Sequence, residues 1–337
     1  MARYRVSYLA TRGQRPARHY HLSSRGAKLR RMIVAITGAN GFIGQHLCER
    51  FGDRGDVVRP IVRCDLESPS IGDRFEGVDV VVHAAGATRA PTRALLRASN
   101  VDLTKRIIEL AQQANVARFV FVSSQAAAGP ASFLDAPVTE EMSPAPIDAY
   151  GRSKLDAEQA VRASDTPWVI VRPAAVYGPR DRDFLAMFRL ARWGLAVHPA
   201  NREQWISIAH VRDVADGVVS AATAQNGVGG TFFLANDVPV QWADLFRAAA
   251  RAARRSLFVD VDLPGWLISA GAAGGDVLAR VAGSAGLLTS DKAALTKPRF
   301  WLCSNERAKR ELGFVPRIGL DDGLTETHDW YRTHGWL

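Results

Sequence analysis

From Met32 onward, short apolar runs alternate with segments in which apolar residues recur every three or four positions. Runs of about four to eight apolar residues bounded by turn residues read as buried strands, whereas the three-to-four spacing reads as helix. The strand candidates are "MIVAIT" (32–37), "VVRPIV" (57–62), "VDVVVHAA" (78–85), "RFVFVSS" (118–124) and "WVIVRPA" (168–174). Helical patterns lie between and after them: "FIGQHLCERFG", "NVDLTKRIIELAQQAN", "SKLDAEQAVRAS", "DVADGVVSAATA", "WADLFRAAARAARR" and "NERAKRELG", the last stopped by Gly313. Strands of this kind separated by helices predict an α/β fold, a doubly wound parallel sheet covered on both faces. Its ligand should lie at the carboxyl ends of the strands. No run of about 18 uncharged apolar residues exists, so no membrane span is expected. The nearest approach, Leu263 to Leu288, is interrupted by glycine pairs, Asp276 and Arg280, and reads as two short buried or interfacial helices.

The 337 residues suffice for about two domains. The net charge of +9 would suggest a polyanionic partner, but it is unevenly placed. Residues 1–31 hold nine of the 43 basic residues and no Asp or Glu, which leaves 34 basic against 34 acidic residues from Met32 onward. No nucleic-acid partner is therefore expected for residues 32–337. The basic arm reads as a targeting peptide, as an arm for nucleic acid or anionic membrane, or as sequence upstream of the true start. A dispensable leader or misassigned start is favoured, because Met32 stands immediately before the first strand. Cys48, Cys64 and Cys303 are odd in number and widely spaced, which suits a reduced, cytoplasmic compartment.

The chemistry begins at "TGANGFIG", which puts Gly38, Gly41 and Gly44 directly after a strand and at the start of a helix. Small residues there let the backbone turn tightly and approach a pyrophosphate, with Phe42, Ile43 and Gly44 opening the helix whose N-terminus favours the anion. In this context the glycines point to a dinucleotide. "YGRSK" supplies Tyr150 and Lys154, four apart and so on one helix face. An ammonium beside a phenol lowers its pKa from about 10, so Lys154 is expected to make Tyr150 an acid/base near neutrality. Taken alone, that pair is common on ordinary helices. Its place after the strand ending in Ser123 and Ser124 makes it informative.

These motifs together resemble the short-chain dehydrogenase/reductase superfamily, in its extended branch, the NAD-dependent epimerase/dehydratase family. The resemblance spans Met32 to Leu337 through "VVHAAG", "SNVDLTK", "VRPAAVYGPRDRD", "SIAHVRDVADGV" and "AKRELGFVPRIGLDDGLTETHDWY". It implies a Rossmann-type sheet with a smaller, mostly helical C-terminal substrate domain. Residues 32–176, with a returning segment at about 205–238, would hold the dinucleotide, and 177–204 with 239–337 the substrate. It further implies catalytic Ser124, Tyr150 and Lys154, with Ala84, Ala85, Asn100, Pro173 and Val176 beside the cofactor. A homodimer through the catalytic helix is also implied. His83 and His210 fall within these matches and are read as structural, and no metal site is expected.

Cofactor choice turns on the end of the second strand. Arg63 there favours NADP over NAD, because an arginine accepts the 2′-phosphate where a carboxylate would hold the ribose hydroxyls. Asp65 and Leu66 resemble the family's pair near adenine, but they follow Arg63 without the strand that usually intervenes. For substrate, Gln125 and Ala126 stand where dehydratases carry an acidic pair. Ala175 stands where nucleotide-sugar epimerases carry asparagine, and Ala128 where they carry tyrosine. These differences favour a dehydrogenase or reductase acting on a ketone or secondary alcohol, a small-molecule substrate. The alternatives are a nucleotide-sugar epimerase with tightly bound NAD, in which Arg180, Arg182, Arg202 and Gln204 would grip a diphosphate, and a non-catalytic scaffold subunit.

Overall fold

In the computed structural model, which describes residues 31–199, 203–255, 259–264, 270 and 295–337, the apolar runs form one six-stranded sheet. Its strands are β1 (Ile33–Thr37), β2 (Val57–Ile61), β3 (Val80–His83), β4 (Arg118–Val122), β5 (Trp168–Pro173) and, after four short strands, β10 (Thr231–Leu234). Those four are β6 (Ala175–Tyr177), β7 (Leu195–Pro199), β8 (Trp205–Ile206) and β9 (Ile208–His210). The sheet order is β2-β1-β3-β4-β5-β10 with every pairing parallel. The first five strands were legible as apolar runs; β10, "TFFL", was not singled out. The basic arm, Arg202 and most of the Leu263–Leu288 stretch lie outside the described residues.

Alternation along the strands divides the core in two. Val34, Ile36, Val82, Val120 and Val171 point to one face, where α1 (Phe42–Asp53) brings Leu47 and Phe51 and α7 (Val211–Thr223) brings Val214 and Val218. Ala35, Val81, Phe119, Phe121 and Ile170 point to the other, against Ile107 of α4 (Leu103–Gln113) and Val161 of α5 (Ala149–Arg162). Burial on both faces is why these strands read as continuous apolar runs. β2 is an edge strand, which tolerates Pro60 and its missing N–H. No strand occurs between Val62 and Asp79; α2 (Arg63–Leu66) and a 3₁₀ turn at Ile71–Phe75 fill that interval.

A third core joins α6 (Leu185–Ala191), α8 (Trp242–Ala252) and the last helix, Leu320–Thr333, through Phe188, Leu245, Phe246, Leu324 and Tyr331. Small pairings surround it: β8 with Val240–Gln241 and Phe300–Trp301, and β7 with Val259–Leu263. Glu306–Leu312 ends on Gly313 in the left-handed region, the stop its sequence announced. Among the described residues no helix is long and apolar enough to cross a membrane.

The chain leaves β1 for β2 on one side and returns to β3 on the other, so the ends of β1 and β3 bound the crevice at the switch point. His83 closes β3 and is wholly buried. Thr104 donates to the Asn100 carbonyl at 2.5 Å, so its oxygen receives the His83 Nε2–H at 2.9 Å. Nδ1 is then the acceptor for the Thr37 hydroxyl at 2.6 Å, and the Thr37 oxygen receives the Ala85 N–H at 3.3 Å. One neutral imidazole thus links β1, β3 and α4 behind the crevice, and burial pushes its pKa down to about 3, with Lys154 adding to the effect.

A second buried polar group anchors α5 to the sheet. The Glu158 carboxylate, fully buried, receives two bonds from Arg172 of β5 at 2.9 and 2.7 Å, one from Ser123 at 2.5 Å and one from Arg162 at 2.8 Å. A buried carboxylate is tolerable only with its lone pairs so filled.

Two outcomes follow for stability. Glu158→Leu leaves the Arg172 guanidinium buried without its partner and should cost about 3 to 5 kcal/mol in chemical denaturation. For His83 the fold stabilises the neutral ring, so its contribution is complete above the ordinary value of 6.5 and is lost as pH falls toward 3. The stability difference between wild type and His83→Asn should therefore shrink as denaturation is repeated from pH 7 down to pH 4.

Candidate active site

At the carboxyl ends of β1, β3 and β4 opens a cleft of about 650 Å³. Its floor is the glycine turn. Gly38 has φ +71°, and a Cβ there would stand 2.8 Å from the Ala85 backbone; a Cβ on Gly44 would stand 2.0 Å from the Gly38 carbonyl oxygen. Only glycine lets the turn close this tightly. The helix α1 follows Gly41 as its N-cap residue, with no side-chain cap and no acidic residue in its first turn. Its first N–H groups and positive dipole end therefore face the cleft, the arrangement that receives a phosphate. Gly38, Gly41, Phe42, Ile43 and Gly44 all line this space, as do Ala84 and Asn100.

Asn100 sits in a π turn, Ala98–Asp102, just before α4. Its amide receives the Ala87 N–H at 2.7 Å and donates to the Ala87 carbonyl at 2.9 Å and to Ser153 at 2.8 Å. The asparagine thereby ties the loop after β3 to the helix bearing Tyr150 and Lys154.

Asp148 caps α5 by receiving the Gly151 N–H at 2.9 Å, so Tyr150 stands in its first turn and Lys154 one turn later. Both line the cleft. The Tyr150 phenol is hydrogen-bonded to Ser124. Ser123 borders the cleft but donates its hydroxyl to Glu158, and Ser124, outside the lining, is the serine bonded to the tyrosine. Lys154 donates to the Val122 carbonyl at 2.7 Å and lies 4.4 Å from the centre of the Phe121 ring. Burial pushes its pKa down to about 8.

One expectation needs correction. Burial raises the Tyr150 phenol to about 12, against an opposing hydrogen bond from Ser124, and Lys154 does not lower it. The ammonium is engaged by the Val122 carbonyl and the Phe121 ring, and desolvation of the phenol prevails. Gln204 is a second: its amide donates to the Leu295 and Pro298 carbonyls at 3.1 and 2.8 Å, which makes it part of the scaffold.

The other expected residues lie outside the cleft lining. Arg63 is exposed at the start of α2, Leu66 is buried in the core, and Asp65 receives the Val62 N–H at 2.8 Å. Ala85 is held by Thr37, Pro173 is buried at the end of β5, and Val176 and Ala175 lie in β6. Gln125 is buried beside Ser124, and its Nε2 has no hydrogen-bond partner among the described residues. Arg180 does line the cleft. So do residues the sequence did not suggest: Arg89, Asp181 and two tryptophans, Trp330 and Trp336, from the C-terminal end. Arg182 stacks 5.3 Å from the Trp336 ring centre. Asp181 receives the Asp183 and Phe184 N–H groups, and burial raises its carboxyl to about 7. No cluster of three His, Cys, Asp or Glu suited to a metal occurs among the described residues.

The chain is 32% identical, over 91% of its length and 96% of the relative's, to a ceramide reductase of Caulobacter vibrioides. It is 26% identical, over 87% and 95% of the two lengths, to the 4-hydroxy-2-methyl-3-oxo-4-farnesyl-3,4-dihydroquinoline-1-oxide ketoreductase of Stigmatella aurantiaca. Among solved structures, gox2253 matches with a TM-score of 0.73 at 25% identity, covering 90% of this chain and 98% of the other. MoeE5 in complex with UDP-glucose and NAD matches with a TM-score of 0.71 at 23% identity, covering 89% and 99%, a likeness of fold. Residues 34–235, from the first strand to the end of β10, fit the family model described as NAD dependent epimerase/dehydratase. On that match and the 32% identity to the ceramide reductase, the chain belongs to the NAD dependent epimerase/dehydratase family, the extended branch of the short-chain dehydrogenases/reductases.

Proposed function

We propose that this enzyme reduces a ketone on an apolar, lipid-like substrate, or oxidises the corresponding secondary alcohol, with NADP as its dinucleotide. The observation that carries the reading is Tyr150 and Lys154 lining a cleft whose floor is the glycine turn, with Ser124 hydrogen-bonded to the Tyr150 phenol behind that lining. A nicotinamide dinucleotide bound there would supply or accept a hydride. Gly41 to Gly44 would hold its pyrophosphate, and Lys154 and Asn100 would flank its nicotinamide half. Residues 32–176 and 205–238 serve that cofactor in this reading, and 177–204 with 239–337 the substrate.

Tyr150 acts as the proton donor. A phenol held near 12 is protonated at neutral pH, which is the form a reduction needs when negative charge gathers on the substrate oxygen. Ser124, bonded to that phenol, provides the second hydroxyl for the same oxygen. Lys154, pushed down to about 8, keeps a cation close to the phenol's helix face and supports charge as it develops.

Two observations favour NADP: Arg63 stands exposed at the start of α2, two residues beyond β2, and the Asp65 carboxylate is engaged by the Val62 N–H. For the substrate, relatives acting on a ceramide and on a farnesylated ketone support an apolar molecule. Alanines 126, 128 and 175 offer shape without the hydrogen bonds a sugar requires.

Tyr150→Phe should lower kcat on a long-chain ketone by at least about a thousandfold while leaving the NADPH Kd within about twofold; full activity in the variant would remove Tyr150 from this role. Wild type should consume NADPH in equal amount to ketone reduced, whereas an epimerase would regenerate a bound cofactor and show no net consumption.

A further inference from the structure

The loop from Gly178 to Asp183 crosses the mouth of the cleft and is fastened on both sides. His46 of α1 donates through Nε2 to the Pro179 carbonyl at 2.9 Å, and one turn on, Glu49 receives Arg180 Nη2 at 2.6 Å. Across the opening Asp183 pairs with Arg89, and Arg182 lies over Trp336. Arg180 has φ +73°, a left-handed backbone that side chains other than glycine adopt at a cost. Strain of this kind is kept where the surroundings impose a conformation for function.

The guanidinium that this backbone presents is half engaged. Nη2 holds Glu49, while Nη1 is buried and has no hydrogen-bond partner among the described residues. Glu49 lies two turns into α1, the helix that the glycine turn opens. Arg180 and Gly41 to Gly44 border the same cleft. An unfilled donor on a permanent cation, bordering the same cleft as an uncapped helix start, fits a phosphate oxygen.

We infer that Arg180 is a side-chain arm of the pyrophosphate site, with Nη1 donating to the diphosphate of the dinucleotide while Nη2 stays on Glu49. The inference rests on the reading of the cleft as a dinucleotide site. It moves Arg180 from the substrate, where its sequence position suggested it would act, to the cofactor. The planar fork is essential: a lysine keeps the charge but cannot hold Glu49 and a phosphate oxygen from two fixed nitrogens.

The test is binding of NADPH by fluorescence, with ADP and adenosine as competitors, to wild type, Arg180→Met and Arg180→Lys. Removing one charge-assisted bond should weaken NADPH and ADP about tenfold to a hundredfold and leave adenosine unchanged, with Arg180→Lys in between. The melting temperature without nucleotide should match wild type, because exposed Glu49 is solvated once its partner is gone. Unchanged ADP and NADPH affinity overturns the assignment, including the case in which only the KM of the carbonyl substrate rises. Equal weakening of adenosine and ADP also overturns it, as a general distortion of the cleft. If wild type binds neither NADPH nor NADH, the reading of the cleft itself fails; if it binds and Arg180→Met binds equally well, only the arginine's role fails.

Discussion

The carboxylate of Glu158 holds the candidate active site in place. It lies fully buried on the sheet-facing side of α5, eight residues after Tyr150 and four after Lys154, and so on the same helical stripe. Arg172 fixes it to β5, Ser123 to the end of β4 and Arg162 to the helix itself. Four bonds to one desolvated anion leave the helix one register on the sheet. That register puts the phenol next to Ser124 and the ammonium at the Val122 carbonyl.

The same logic operates behind the crevice, where a neutral histidine plays the anchoring part. His83 joins Thr37, just before the glycine turn, to Thr104, which is bonded in turn to Asn100. Asn100 then reaches Ser153, whose hydroxyl donates to the Tyr150 carbonyl at 2.7 Å. A continuous polar path therefore ties the glycine turn to the tyrosine helix through groups whose donors and acceptors are matched. Pre-organisation of this kind suits a reaction in which two bound molecules must meet in one geometry.

Apolar and polar elements divide the work. The two valine-rich faces of the sheet supply the burial that stabilises the doubly wound layer, and they would do so for many sequences. Specificity of position comes from a few buried polar groups, each filled. The loop at Gly178–Asp183 differs: its arginine at φ +73° and its carboxyl at Asp181, raised to about 7, carry strain and desolvation at the mouth of the cleft.

Much of this was written in local sequence. Five strands of the sheet were legible because burial on both faces makes them uninterrupted apolar runs, and the glycine turn because it stands directly between a strand and a helix. Tyr150 and Lys154 were legible because four residues make one helical turn. Proton affinities were not, because desolvation depends on what packs around a group from elsewhere in the chain. Lys154 turned to the Val122 carbonyl, and the phenol rose where the pair alone predicted a fall. β10, Thr231–Leu234, was not singled out in the sequence and took its place in the sheet by pairing with β5, about 60 residues earlier in the chain. Trp330 and Trp336 reached the cleft from about 180 residues beyond Tyr150. Local spacing determined which residues share a helix face or a turn; only tertiary packing decided which distant groups desolvate, charge and enclose them.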